Sequence, residues 1–275
     1  MDWTYPDIAK MIDHSLLNPT LTERDLEEGT RIARQFDAAS VCILPFALRR
    51  CADVLKGSTV RASTTIGFPH GGQASAIKLA EAERALDDGG EELDMVVNIS
   101  KVLSEDWEYV RKDIQAIVDA AHRRSQKVKV IFENCYLQDR HKIRLCEICG
   151  QVGADWVKTS TGYGSGGATD ADLRLMRAHS PAAVQVKAAG GVKTLDRLLE
   201  VRSLGVTRVG ASKTVEILEE AKRRLAIMFL LLGLAVGLAA GVCQAANPRL
   251  KVSENRHFLM KDDGSPFFCL GDAGR

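Results

Sequence analysis

Apolar residues along this 275-residue chain come in short runs of four to nine, separated by longer stretches in which they recur at helical spacing. Residues 40–44 (S-V-C-I-L) form the first clear run. Similar runs follow at residues 60–68, 92–98, 128–133, 156–160, 184–188 and 208–212, and residues 11–17 supply a further, weaker one with Pro19 just beyond it. Between them the pattern predicts helices from Thr22, an N-cap, to Phe36, from Pro45 past Cys51 and Leu55, and over residues 75–87, 107–122, 139–152, 170–179, 195–204 and 213–223. Residues 1–10 read as a lead-in.

Eight strand–helix units in about 220 residues predict an α/β fold, a (β/α)8 TIM barrel. The strands read as apolar on both sides, as expected where helices cover a parallel sheet. A doubly wound open sheet is the competing layout. It is weakened by the absence of G-x-G-x-x-G after the first strand.

A different texture begins near residue 224. Residues 225–243, opening on Leu225 and closing on Cys243, are an uncharged run directly after Lys222-Arg223-Arg224. A helix of that length spans roughly the 30 Å hydrocarbon core of a bilayer. The sequence therefore divides into a barrel at 1–223, an apolar segment at 224–246 and a short, unstructured tail at 247–275, giving a barrel with an appended C-terminal apolar helix and tail. The basic cluster and apolar run are similar to a secretory signal peptide, and the tail is similar to the start of a glycoside-hydrolase-like protein. Two accounts stay open. One is a fusion that joined a barrel enzyme to the start of an exported protein. The other is a membrane tether through Leu225 to Cys243, with the barrel on the cytoplasmic side.

Composition narrows the function. A formal net charge of +1 without basic runs argues against nucleic acid as a partner. Seven scattered cysteines do not form a disulfide framework and fit a cytoplasmic chain with reduced thiols. Cys146-x-x-Cys149 is the nearest approach to a metal motif. It sits on a predicted helix without a second pair, so no metal and no cofactor are expected.

The candidate chemistry lies at the ends of the strands, which face the active site in this kind of barrel. Asp13, Asp94, Lys158 and Lys187 fall there, and Cys42 lies in the second strand. A lysine in an apolar strand is costly unless it is paired or neutral. The same cost turns a desolvated lysine near a second cation into an amine nucleophile. Any one of these residues alone is more economically a cap or a snorkelling side chain. Two lysines and an aspartate at equivalent strand ends demand mutual compensation. Gly190-Gly191 after the seventh strand and Gly210-Ala211-Ser212 after the eighth occupy the usual phosphate-binding corner of such barrels.

These motifs in this order resemble the deoxyribose-phosphate aldolase family of class I aldolases. The resemblance covers residues 11–223 and rests on I-D-H-S-L-L at 12–17, V-C-I-L-P at 41–45, G-F-P-H-G at 67–71, E-L-D-M-V at 92–96, K-V-I-F-E at 129–133, V-K-T-S-T-G at 157–162, V-K-A-A-G-G at 186–191 and R-V-G-A-S at 208–212. It implies reversible cleavage of 2-deoxyribose 5-phosphate to acetaldehyde and glyceraldehyde 3-phosphate. Lys158 would form the Schiff base, and Lys187 would lower its pKa by like-charge repulsion. Asp94, with Lys187 and a water, would move protons. Asp13 and Cys42 would border the substrate, and Thr161, Gly190, Gly191, Gly210, Ala211 and Ser212 would hold the phosphate. Tyr163 and Lys213 depart from the family pattern. A small phosphorylated sugar is thus the expected partner, with a homo-oligomer as a further expectation. Two other readings are another phosphate-binding barrel lyase or isomerase that uses the lysines only as charge, and a membrane-tethered sugar-phosphate binder without turnover.

Overall fold

The computed structural model describes residues 3–241 and two short strands at 250–252 and 259–261, with side chains through residue 227. Eight parallel strands close into a barrel in chain order: β1 (Ile12–Leu16), β2 (Ser40–Ile43), β3 (Arg61–Ile66), β4 (Glu92–Val96), β5 (Lys127–Ile131), β6 (Trp156–Lys158), β7 (Gln185–Ala189) and β8 (Arg208–Ala211). The ring is sealed by β1 on β8, with Asp13 opposite Gly210 and His14 opposite Ala211.

Helices cover the outside: α1 (Tyr5–Ala9), α2 (Glu23–Gln35), α3 (Leu48–Leu55), α4 (Ser75–Asp87), α5 (Ile99–Leu103), α6 (Trp107–His122), α7 (Asp139–Val152), α8 (Asp170–His179), α9 (Leu195–Ser203) and α10 (Thr214–Gly241). Thr22 caps α2, accepting from the Asp25 N–H while the Asp25 carboxylate accepts from the Thr22 N–H. Gly153, at φ 74°, ends α7 in the left-handed conformation that suits glycine. The lead-in holds α1, and α5 also escapes the sequence reading. Each is a single turn or so, too short to show a period.

The hydrophobic core is the annulus between barrel and helices. Outward residues of the strands, among them Val41, Ile43, Leu93, Met95, Val128, Val130, Val157, Val186 and Val209, are buried against helix side chains such as Ile114, Ile117, Leu145 and Leu198. The strands are nevertheless not apolar on both sides. Side chains alternate along a strand, and the inward positions are largely polar. Register places Asp94 beside Lys129, Lys158 beside Lys187, and Lys187 beside Arg208.

Residues 1–225 form one compact unit and 226–275 another. The membrane span expected at Leu225 to Cys243 is not supported. Among the described residues no helix is long and apolar enough to cross a membrane. Helix α10 starts on a charged surface stretch containing Glu216, Glu219, Glu220 and Lys222 and continues unbroken to Gly241. The signal-peptide reading rests on residues beyond 227 and on Lys222, Arg223 and Arg224, which pair with Glu219, Glu220 and Asp196 on the barrel unit. The likeness to a glycoside hydrolase rests on residues whose side chains lie outside the described ones. Against the expectation, the tail is not wholly unstructured: two short runs too brief to show a period pair as antiparallel strands, β9 (Leu250–Val252) and β10 (Leu259–Lys261).

Candidate active site

The inward face of the barrel gathers seven ionisable side chains from six strands. Asp13 comes from β1, Glu92 and Asp94 from β4, Lys129 from β5, Lys158 from β6, Lys187 from β7 and Arg208 from β8. All are buried or nearly so. The Lys158 and Lys187 ammonium nitrogens each lie 2.7 Å from the same carboxylate oxygen of Asp94. Lys187 also reaches Asp13 at 2.5 Å. Lys129 sits 2.9 Å from Asp94, 3.1 Å from Asp13 and 2.5 Å from Glu92. Beneath them the Arg208 fork meets Glu92 at 3.0 and 3.1 Å and Asp13 at 2.6 Å.

Partner counting assigns the protons. Lys129 faces three carboxylates, Lys187 two and Lys158 one. Burial penalises every charge here. It works against the Lys129 and Lys187 ammoniums, but Asp13 and Asp94 outweigh it and hold both above the ordinary lysine range. For Lys158 burial prevails over Asp94, and repulsion from Lys187 adds to it, so this amine is held below its ordinary value. Desolvation is thus the larger cause and the second lysine the smaller. Burial opposes the Asp94 and Asp13 carboxylates too. The surrounding cations win, and both are held below the usual carboxylate range. Four bases face three acids, and the group closes without net charge when Lys158 alone is neutral.

Above this group opens a cavity of about 160 Å³ at the C-terminal end of the strands. Asp13, Cys42, Lys158 and Lys187 form its floor, and Thr161, Gly190, Gly191, Gly210, Ala211 and Ser212 its wall. Asp94 lies behind the two lysines. The Cys42 thiol is pushed up to about 11, by burial first and the Asp94 carboxylate second. It therefore stays protonated at neutral pH and lines the site as a small apolar group.

Gly190 and Gly191 adopt φ of 84° and 93°, which favours glycine. A Cβ on Gly190 would stand 2.8 Å from the Gly167 Cα, so the loop after β7 has no room for a side chain there. Thr161 lines the cavity, yet its own donors are committed. Its N–H donates to the Glu133 carboxylate at 3.2 Å, and its hydroxyl donates to the same group. Thr161 thus shapes the loop after β6. Tyr163 caps that loop, donating its hydroxyl to the Leu17 carbonyl at 2.7 Å and resting against the Phe68 ring edge. Lys213 is exposed and pairs with Glu216.

Comparison with known proteins agrees with this geometry. The family described as DeoC/LacD family aldolase matches residues 8–241. The chain belongs to the DeoC/LacD family of aldolases. It is 64% identical over 224 residues to the deoxyribose-phosphate aldolase of Rhodopirellula baltica, covering 82% of this chain and 93% of that one. Identity to the deoxyribose-phosphate aldolase of Thermococcus kodakarensis is 43% over 217 residues, covering 78% and 97%. Among solved structures, the tetrameric deoxyribose phosphate aldolase from Aeropyrum pernix superposes with a TM-score of 0.74 at 30% identity, over 80% of this chain and 92% of that one.

Several residues of the ionic cluster and the cavity's surroundings escape the sequence reading. Lys129 is hidden in K-V-K, which reads as a strand end with solvated lysines. Glu92 and Arg208 open their strands and look like boundary charges. Glu133 stands just past β5 in the left-handed region at φ 59°. Lys193, exposed at the cavity rim, reads as a loop lysine. The motifs K-V-I-F-E and R-V-G-A-S contain three of these, so the signal was present without a role attached.

Proposed function

We propose that this aldolase cleaves 2-deoxy-D-ribose 5-phosphate to acetaldehyde and D-glyceraldehyde 3-phosphate, reversibly, through a Schiff base on Lys158. The observation that carries the reading is the Lys158 amine, buried 2.7 Å from Asp94 beside a second lysine and held below its ordinary proton affinity. An uncharged amine is a competent nucleophile where an ammonium is not.

The Lys158 lone pair attacks the aldehyde carbon of the open-chain sugar, and the resulting carbinolamine loses water to leave a protonated imine. Removal of the C3 hydroxyl proton then breaks the C2–C3 bond. Its electron pair moves toward the imine nitrogen, releasing glyceraldehyde 3-phosphate and leaving an enamine on Lys158. Protonation of the enamine carbon and hydrolysis of the imine free acetaldehyde and restore the amine. Lys187, held above its ordinary value, is the proton store. Asp94 touches both amines, and its low proton affinity suits it to pass a proton with a water rather than keep one. Asp13 holds Lys187 in place and borders the sugar hydroxyls.

In this reading the phosphate would rest against the loops after β7 and β8; the lining of the cavity by Gly190, Gly191, Gly210, Ala211 and Ser212, with Lys193 at the rim, supports it. Thr161 supports the neighbouring loop. The relative from Aeropyrum pernix favours a homo-oligomer, and free buried thiols such as Cys51, Cys146 and Cys149 favour the cytoplasm.

Borohydride reduction in the presence of deoxyribose 5-phosphate tests the reading. A stable adduct is expected on Lys158 in the full-length protein, together with acetaldehyde release under turnover. Acetaldehyde release without a trapped adduct would overturn the Schiff-base route, and a lack of both would overturn the assignment.

A further inference from the structure

We propose that Glu92 and Arg208, at the end of the barrel opposite the substrate cavity, set the proton affinity of Lys158 and are positioning residues for the aldol reaction. The inference rests on the function proposed above and names how the same site is tuned.

Glu92 and Arg208 are the first residues of β4 and β8, whereas Lys158 is the last of β6. Both border a separate cavity of about 310 Å³ at the N-terminal end of the strands, together with Trp156. Neither lines the cavity above Lys158, so neither touches substrate. Their influence must pass through charge. Arg208 stacks over the Trp156 ring at 4.9 Å and grips Glu92 with two nitrogens. A guanidinium does not shed its proton in a protein. It is therefore the fixed cation of the group, and the three lysines must share what remains.

Every strand facing Lys158 is accounted for. Asp13, Asp94, Lys129 and Lys187 complete the charged set on the strands with Glu92 and Arg208, β2 offers the protonated Cys42, and β3 offers Ser63, 3.4 Å from Asp94. The buried Glu133 carboxylate just past β5 is turned instead to the Thr161 N–H and hydroxyl. His14 on β1 alternates to the outer face, where it bonds Thr214 at 2.8 Å. With Arg208 charged, the bases exceed the acids by one, and Lys158, with one carboxylate against two for Lys187 and three for Lys129, is the base that gives way. Without Arg208 the surplus vanishes and Lys158 can keep its proton. Without the Glu92 charge the surplus doubles and Lys158 loses its proton more readily.

The two neutralising variants should thus move the pH profile in opposite directions. The acidic limb of kcat/KM reports the free enzyme's Lys158. Arg208→Gln should shift that limb up by about one pH unit, and Glu92→Gln should shift it down by a similar amount, as expected for one charge acting through a partly screened interior. The rate of borohydride trapping should follow the same displacements. Arg208→Lys, which keeps the charge, should stay near the wild-type profile. A purely structural role would lower activity at every pH without moving the limb. Shifts of less than about a third of a unit in both variants, or shifts in the same direction, would overturn the proposal. If Arg208→Gln does not fold, the near-isosteric Glu92→Gln decides alone: a downward shift supports the proposal and an unmoved limb refutes it. A wild-type enzyme that traps no adduct would instead sink the Schiff-base route itself.

Discussion

Lys158→Met separates two descriptions of the site that share the same geometry. If Lys158 were a full ammonium paired to Asp94 at 2.7 Å, its removal would strip a buried carboxylate of a cation. Breaking a buried ion pair costs about 3–5 kcal/mol. If Lys158 is a neutral amine, the loss is one hydrogen bond, about 1 kcal/mol. Asp94 keeps Lys129 and Lys187, at 2.9 and 2.7 Å, so no charge is orphaned. Methionine is unbranched, fills most of the vacated volume and offsets part of that loss. The unfolded lysine is protonated at pH 7.5, so keeping it neutral in the fold costs about 1.4 kcal/mol for each pH unit below 10.5, a cost that Lys158→Met relieves. The variant is therefore expected to be as stable as wild type or up to about 3 kcal/mol more stable, while kcat falls by about 10⁴-fold or more with the nucleophile gone. Urea unfolding and an acetaldehyde-release assay measure the two quantities. The pH dependence adds a sign. A lysine whose folded value lies below its unfolded value penalises folding once the unfolded state takes up the proton. Wild type should therefore gain stability relative to Lys158→Met as pH rises from the lowered folded value toward 10.5. Destabilisation above about 3 kcal/mol at neutral pH would refute the neutral-amine account.

Other substitutions probe the remaining parts. Asp94→Asn leaves Lys158, Lys187 and Lys129 without their shared carboxylate; a loss of about 3–5 kcal/mol in urea unfolding is expected, together with loss of turnover. Lys193→Glu should raise KM for deoxyribose 5-phosphate by about tenfold or more and leave turnover of unphosphorylated deoxyribose unchanged, which steady-state kinetics on both sugars would show. Gly190→Ala meets both a positive φ and the Gly167 backbone; thermal melts should report a loss of about 1–3 kcal/mol, with KM raised for the phosphorylated sugar. Ile114→Ala, deep in the annulus, should cost about 2–5 kcal/mol while kcat per folded molecule is retained.

The barrel is legible in the sequence because its helices carry long periods and clean ends. The predicted spans 75–87, 107–122, 139–152 and 170–179 coincide with α4, α6, α7 and α8. Strand ends differ by one or two residues, since strand hydrogen bonding stops where loops begin to bend and apolar character does not. The barrel interior was less legible. Val-Lys-Thr in β6 announces a lysine in an apolar setting, whereas Lys127-Val-Lys129 in β5 has the alternation of a half-exposed strand. Only closure of the ring shows that the face shared by Lys127 and Lys129 is the barrel interior, where Lys129 is buried among carboxylates while Lys127 stays at the open N-terminal mouth and pairs with Asp155 at 2.7 Å. The donors of Thr161 teach the same lesson. A threonine in a substrate loop invites a phosphate contact on paper, and it takes the fold to reveal that Glu133 already holds it.

The polar lining of the barrel also bears on how the molecule meets heat. Ions are hydrated with a strongly negative entropy, so the free energy of stripping their water shrinks on warming. Carboxylates and ammoniums locked along the barrel axis thus become less expensive to keep dry as temperature climbs, while the oily contacts between strands and helices gain little. Thermal failure should begin in the outer helical jacket, with the charged axis among the last parts to let go.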